Sequence, residues 1–369
     1  MSLFKPPEVS ADTVAVIGGV LPVDPTYLLL RVDGHAAIGG GHVMRCLALA
    51  QAWQDAGGRA AFASAGLAPS LRERIAQEGF ACTAISAESG SAGDAASTAA
   101  IAREIRARTV AIDGYHFGPG FRAPLHGDGL VTMAIDDNGE AGPCGDHLIL
   151  NQNIHAAPSL YPDAGSRTKL LLGTRYTLLR REFRRSIRRN IRRDGAVRTI
   201  LVTLGAVDRD NVTGSVIEAL RSLDLAGAAV EIIAGGANPH GPAINEACIA
   251  VPGARIVADP GAGMAELIAG ADLAITAGGT TMWELSAMGV PFIAVIVAEN
   301  QRLSTLAMTA LGFPCVTAES VVDKLPEKLR TLIGDAARRQ QLAAAGQRLV
   351  DGEGAPRVCA EISKLVREA

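Results

Sequence analysis

Twice along the chain, from Tyr27 and again from Thr199, short apolar runs alternate with helix-spaced segments, and this alternation restricts the fold more than any other feature. A run of four to six apolar residues with no polar face reads as a strand buried on both sides. Parallel strands need crossovers, and the intervening helical segments supply them. In the first stretch the strands expected are Leu28 to Val32, Ala60 to Ala63, Thr109 to Ile112 and Leu130 to Ile135. Helices are expected over Val43 to Gln54, Ser70 to Glu78 and Ala95 to Ala107. The first places apolar residues at 43, 47, 50 and at 46, 49, 53, the spacing of a buried helix, and Gly57-Gly58 ends it. In the second stretch Thr199 to Leu204, Val230 to Ile233, Leu273 to Thr276 and Phe292 to Val295 read as strands, with a helix from Val212 to Leu223. The predicted class is α/β: two Rossmann-like domains facing across a cleft, because such sheets bind ligands at the carboxyl ends of their strands.

A chain of 369 residues exceeds one ordinary core. The expected division is an N-terminal extension over 1–26, a first domain over 27–179, an Arg-rich linker over 180–195 and a second domain over 196–369. Lys and Arg number 35 against 38 Asp and Glu, a net charge of -3, so no basic excess drives binding to nucleic acid. The longest apolar run, Val290 to Ala298, contains a proline and falls short of the roughly 18–20 residues that span a bilayer, so stable membrane insertion is not expected. The six cysteines are scattered with no C-x-x-C pair, which fits neither a zinc cluster nor a disulfide framework and suggests a cytoplasmic protein. No cofactor is expected, and a monomer is. In the linker, arginine pairs recur every four residues from Arg180 to Arg193. They read as a solvated stripe with Phe183, Ile187 and Ile191 packing inward, in preference to a face for anionic lipid, because the rest of the chain is mildly acidic.

Two glycine turns carry the candidate chemistry. The first runs from Asp33 to Cys46, between a strand and a helix, where glycines admit a ligand to the backbone and the helix start favours anions. It is neither the phosphate loop closed by Lys-Ser or Lys-Thr nor the dinucleotide fingerprint, since Arg45 and Cys46 stand where glycines are wanted. His42 opens the helix facing the cleft. An imidazole with an ordinary pKa of about 6.5 can take a proton from water or a hydroxyl at neutral pH; the alternative is a helix-start residue bonded to nearby backbone. The second turn, Thr276 to Glu284, offers the amides of Gly279 to Thr281 and two hydroxyls to a diphosphate without a metal, with Glu284 a turn further on to hold ribose hydroxyls. A plain helix cap reads the same way. Leu204 to Asp208 and Asn300-Gln301 add turns after two more strands, and their convergence favours a nucleotide-diphosphate site.

Several ordered motifs together carry a resemblance: Ile38 to Cys46, Ile135-Asp136-Asp137, Leu150 to Asn153, Leu172 to Arg180, Ala277 to Glu284, Asn300-Gln301 and Leu349 to Ala355. Nearly everything from Tyr27 onward resembles the UDP-sugar hydrolase family of pseudaminic acid biosynthesis, whose wider relatives are glycosyltransferases of the GT-B fold. The resemblance implies hydrolysis of UDP-2,4-diacetamido-2,4,6-trideoxy-β-L-altropyranose to UDP and free sugar, without a metal. It makes His42 the general base and Tyr115 a catalytic residue on the sugar side. It implies substrate contacts from Asp33, Gly41, Arg45, Asn300 and Gln301, and UDP contacts from Gly205, Gly278, Gly279, Thr280, Thr281 and Glu284. His35 stands where the family usually has Ser or Asn, and Ala206 where its phosphate turn usually has a second glycine. A glycosyltransferase using a UDP-sugar donor is the alternative enzyme, with an acceptor hydroxyl in place of water. A catalytically silent nucleotide-sugar binder would not need His42.

Overall fold

The computed structural model describes residues 27–35, 38–140, 144–187, 195–205, 208–235 and 238–368. The expected extension over 1–26, Ala36-Ala37 of the first glycine turn, Ala206-Val207 of the phosphate-side turn and residues 188–194 of the linker, Ile191 among them, lie outside these.

The first unit runs β1 (Tyr27–Val32), α1 (Gly41–Asp55), β2 (Arg59–Ser64), α2 (Pro69–Gln77), β3 (Ala81–Ala84), α3 (Ala92–Glu104), β4 (Ala107–Asp113), α4 (Pro119–Gly127), β5 (Val131–Ile135), β6 (Leu148–Asn151) and β7 (Lys169–Leu172). The short helix α5 (Arg181–Ile187) leads into the second. There β8 (Thr199–Thr203), α6 (Val212–Arg221), β9 (Ala229–Ile233), α7 (Gly241–Ile249), β10 (Ala254–Val257), α8 (Met264–Gly270), β11 (Leu273–Ala277), α9 (Thr281–Ala287), β12 (Phe292–Ile296), α10 (Arg302–Ala310), β13 (Cys315–Thr317), α11 (Val321–Gly334) and α12 (Ala336–Leu349) follow, and α13 (Gly354–Glu368) closes the chain.

Each unit holds one parallel sheet, ordered β3-β2-β1-β4-β5-β6-β7 in the first and β10-β9-β8-β11-β12-β13 in the second. Leu28, Leu29, Leu30 and Val32 of β1 are fully buried, as are Leu273, Ala274 and Ile275 of β11, because helices cover both faces of each sheet. The strand order reverses beside β1 and β4 in one sheet and beside β8 and β11 in the other, and these switch points open the crevices where ligands bind. The two α/β domains are thus as expected. Five strands, β3, β6, β7, β10 and β13, were not anticipated. Four of them are sheet edges, and β3 exposes all four of its positions in part or whole, so it leaves no buried apolar run to read.

Two expectations need correction. The boundary at 196 assigns all that follows to the second domain, yet Ala355, Val358, Cys359, Ile362 and Val366 of α13 pack into the first core, beside α1 and below β4 and β5. Their spacing makes one apolar stripe, and the first sheet is what it covers. Gly354 permits the return: a Cβ there would stand 2.3 Å from the Thr177 carbonyl oxygen. The described half of the arginine stripe is also less solvated than expected. Phe183 is buried in the second core and Ile187 packs beside it, but Arg181 bonds Gln54 at 2.8 Å and the Gln51 carbonyl at 3.3 Å, and both Arg181 and Arg184 pair with Asp55. These partners all lie on α1, so α5 joins the two domains with one face in each.

Candidate active site

A cleft of about 710 Å³ runs between the domains, lined on one side by Gly40, Gly41, His42, Arg45 and Tyr115 and on the other by Gly205, Gly278 to Thr281, Glu284 and Asn300. Every one of these lies at or just beyond the carboxyl end of a strand or on the helix that follows. The parallel topology therefore brings together turns that are far apart in sequence.

On the first wall, His42 sits in the opening turn of α1 with only 8% of its surface exposed. Its Nδ1 lies 2.6 Å from Oδ1 of Asp113, the last residue of β4, and its ring meets Tyr115 edge-on with centroids 5.0 Å apart. Arg45, one turn along the same helix face, donates from Nε and Nη2 to Asp113 at 2.6 and 2.7 Å and from Nη1 to Asp137 at 2.7 Å. Burial works to raise the pKa of Asp113, but Arg45 and His42 outweigh it and hold the group below the ordinary carboxylate range. Asp137 is lowered in the same way: burial opposes ionisation and Arg45 prevails.

An ionised Asp113 can only accept, so the proton of the neutral imidazole belongs on Nδ1. Arg45 Nη2, though 3.0 Å from Nδ1, directs its hydrogen to Asp113. Nε2 is left with its lone pair and no protein partner among the described residues. Asp113 and Arg45 thus fix both the tautomer and the orientation of a proton acceptor at the cleft surface. The alternative of a helix-start residue bonded to backbone does not describe His42, whose side-chain contacts are Asp113, Arg45 and Tyr115.

Tyr115 donates its hydroxyl to Asp137 at 2.8 Å and accepts from Asn300 Nδ2 at 3.1 Å, a bond from one domain to the other. Burial and the neighbouring Asp137 charge push its pKa above the ordinary phenol value, so it serves as a neutral donor. A second crossing runs from Ser304 of α10 to His155, 3.1 Å apart, and His155 Nε2 lies 2.9 Å from the Asp137 carbonyl.

On the second wall, β11 is followed by Gly278, whose N–H donates to Gln301 Oε1 at 3.1 Å. A Cβ at 278 would stand 2.1 Å from Thr305 Oγ1 and 3.0 Å from Gln301 Cβ, so only glycine fits here. Gln301 thereby shapes the turn as well as lining the cleft. The amides of Gly279, Thr280 and Thr281 bond no backbone carbonyl among the described residues and open α9 toward the cavity. Glu284, one turn further, is 7% exposed and accepts from Arg180 Nη2 at 2.9 Å. Burial raises its pKa, and Arg180 offsets part of that rise. Gly205, with φ of 101°, follows β8 beside this turn.

Twelve of the thirteen predicted site residues line this cleft; Asp33 does not. Its carboxylate is saturated by Arg31 Nη1 at 2.7 Å, Ser64 at 2.9 Å, the amide of Ala65 at 2.8 Å, His116 at 3.0 Å and Ser89. It is 1% exposed and reads as an internal anchor for buried Arg31, not as a substrate contact. The residues missed are Asp113, Asp137, His155 and Arg180. Asp113 closes β4 two residues before Tyr115, and Asp137 follows β5 by two residues within the quoted Ile135-Asp136-Asp137 motif; those positions were the available signal.

Residues 259–353 match the Glycosyltransferase family 28 C-terminal domain, a span that holds α9 and the Asn300-Gln301 turn. Among curated proteins, the spore coat polysaccharide biosynthesis protein SpsG of Bacillus subtilis is 27% identical over 251 residues, 65% of this chain and 71% of that protein. Among solved structures, Acinetobacter baumannii MurG superposes with a TM-score of 0.61 at 16% identity, covering 92% of this chain and all of that one. MnaA of S. aureus, solved with UDP, superposes with a TM-score of 0.63 at 11% identity, covering 93% of this chain and 97% of that one. The fold is GT-B, and residues 259–353 of its second domain are similar to the family 28 C-terminal domain.

Proposed function

We propose that this chain is a nucleotide-sugar enzyme that hydrolyses a UDP-linked sugar, with His42 as general base. The observation that carries the reading is the His42–Asp113 pair, whose Nε2 has no protein partner among the described residues, in a residue that borders the same cleft as the amide-rich turn of Gly278 to Thr281. Water attacks the anomeric carbon while Nε2 takes its proton. The bond from that carbon to the β-phosphate oxygen breaks, and the leaving charge is met by the amides and hydroxyls of Gly279 to Thr281. The products are the free sugar and UDP, and one in-line displacement inverts the anomeric centre. Tyr115, a neutral donor beside His42, is placed to bond the sugar, and Glu284 to hold the ribose. The family 28 match over the second wall and the UDP seen with the MnaA fold support a uridine diphosphate leaving group.

The sugar proposed is the 2,4-diacetamido-2,4,6-trideoxy-altropyranose of pseudaminic acid synthesis, on the strength of the motif resemblance. The family 28 match also favours a second reading, transfer to an acceptor hydroxyl that His42 deprotonates in place of water. Incubating purified protein with that UDP-sugar and with UDP-N-acetylglucosamine, with no acceptor, decides between them by chromatographic detection of UDP. Stoichiometric UDP and free sugar from the first substrate are expected. UDP release only when an acceptor is added would replace hydrolysis with transfer.

A further inference from the structure

Arg180 lines the cleft, yet no step of the proposed mechanism uses it. It lies just before α5, 7% exposed, where the chain crosses from the first domain to the second. Its guanidinium reaches three elements at once: Nη2 donates to Glu284 Oε1 of α9 at 2.9 Å, Nη1 stands 3.1 Å from Glu182 of α5, and Nη1 approaches Met44 Sδ of α1 at 3.7 Å. Phe183 lies under its charge, 4.8 Å from centroid to Cζ. Beyond Glu182 the pairing continues into the first domain, through Arg74 at 2.9 Å and from Arg74 to Glu78 at 2.7 Å, both on or beside α2. Glu284 uses only Oε1 in this chain of charges; its other oxygen has no protein partner among the described residues, and the residue borders the cavity.

We propose that Arg180 is a positioning residue for ribose recognition: it grips one oxygen of Glu284 so that the other is presented to the ribose hydroxyls of a nucleoside diphosphate, and it ties that contact to the domain crossover. This rests on the nucleotide-sugar reading above. A buried carboxylate without a cation protonates and exchanges its acceptor for a donor, and it also gains freedom to turn. Arg180 prevents both. The other groups facing Glu284 do not replace it. Glu182 on α5 carries like charge, β11 and β12 carry no ionisable side chain, and α12 presents Gly346 and uncharged Gln347 to this helix and its end. A planar fork pre-set by Glu182 and Phe183 is what lysine lacks, so the role asks for arginine specifically.

The test compares UDP with 2′,3′-dideoxy-UDP, which share the diphosphate and the base and differ only in the ribose hydroxyls, by calorimetric titration of the full chain between pH 6 and 8. The parent is expected to prefer UDP by about tenfold or more, as a charged acceptor on two hydroxyls does, with a ratio level across this range. In Arg180→Met the ratio should fall toward one at pH 6 and climb as pH rises and Glu284 ionises. Arg180→Lys should recover part of it, and Glu284→Gln should abolish the preference at every pH. A parent that binds both nucleotides equally would remove Glu284 from ribose recognition and the role of Arg180 with it while leaving the nucleotide site standing, whereas a parent that binds neither would overturn the nucleotide-sugar reading itself. A parent that discriminates while Arg180→Met, folded by its melting curve, keeps the same ratio at all pH values would overturn the role of Arg180 alone. Should Arg180→Met not fold, Arg180→Lys decides by the same ratio.

Discussion

Asp113→Asn is the sharpest perturbation of this site, because three nitrogen donors and the Cys46 thiol converge on two oxygens and an amide cannot reproduce them. In the parent, Oδ1 accepts from His42 Nδ1 at 2.6 Å and Arg45 Nη2 at 2.7 Å, while Oδ2 accepts from Arg45 Nε at 2.6 Å. If the asparagine NH₂ takes the place of Oδ2, it points a donor at a donor, and the guanidinium must withdraw. Turned the other way, the NH₂ faces Nδ1, which must then accept, and the imidazole proton moves to Nε2. That tautomer cannot take a proton from water. The first orientation costs the guanidinium contact that braces the imidazole and the second removes the base outright, so turnover should fall by about 10²–10⁴-fold. Arg45 keeps Asp137, so the cost in stability is one charged hydrogen-bond partner of two, about 1–3 kcal/mol, and a folded protein is expected. UDP release from the UDP-sugar measures the rate, calorimetry with UDP measures the other wall, and a thermal melt reports the fold. UDP affinity should be unchanged, since no Asp113 contact reaches the second domain. Turnover within a few-fold of the parent, in folded protein, would refute the assignment of Nδ1–H to Asp113 and the base to Nε2.

His42→Asn should lower turnover by a similar 10²–10⁴-fold, on the order of the loss of a general base, with UDP binding intact; retained turnover would make Tyr115 or His35 the next residue to test. Gly278→Ala places a methyl 2.1 Å from Thr305 Oγ1, so the turn must open: a loss of about 1–3 kcal/mol in unfolding free energy and weaker UDP binding by calorimetry are expected, and a variant matching the parent in both would show the turn to be soft. His147, away from the cleft, gives a pH prediction. Burial and nearby His126 lower its pKa, and its Nδ1 accepts from the Thr132 amide at 3.2 Å, which the charged form does not do. The unfolded chain therefore binds this proton more readily, and the stability it withholds is complete above about pH 6.5 and lost as pH falls through the lower folded value. Urea midpoints should slip from pH 7 toward pH 5 in the parent, and the slip should shrink in His147→Asn; an equal slip in both would assign it elsewhere.

What the sequence made legible is what depends on short range. Continuous apolar runs such as Leu273 to Thr276 announce interior strands because both faces of the sheet are covered, and glycine turns after them announce where a ligand reaches backbone. Edge strands such as Ala81 to Ala84 escape the same reading, since half their side chains meet solvent. The apolar stripe of α13 is visible as a helix but not as a helix of the first domain, because nothing local in Ala355 to Val366 says which sheet it covers. Asp33 shows the converse error: a carboxylate after a strand and before a glycine turn has the look of a ligand contact, and only the buried Arg31 behind it reveals that its oxygens are already filled.

The site itself is a set of pairings across long separations, 71 residues between His42 and Asp113, 104 between Arg180 and Glu284, and 185 between Tyr115 and Asn300. The first of these lies within one domain, between α1, which packs on β1 and β4, and the end of β4, so its geometry is fixed by the packing of that core. The other two join the domains, and their geometry is fixed only by how the domains meet. A base mounted on one domain and a leaving-group turn mounted on the other work together only when both walls face the same anomeric carbon. On the reading proposed above, the crossings at Tyr115–Asn300, His155–Ser304 and Arg180–Glu284 are therefore part of what catalysis requires. They are also polar and border the cavity, so a substrate that bonds Tyr115, Asn300 or Glu284 competes with the contacts that hold the empty cleft together. Binding and domain placement are thereby coupled through the same side chains.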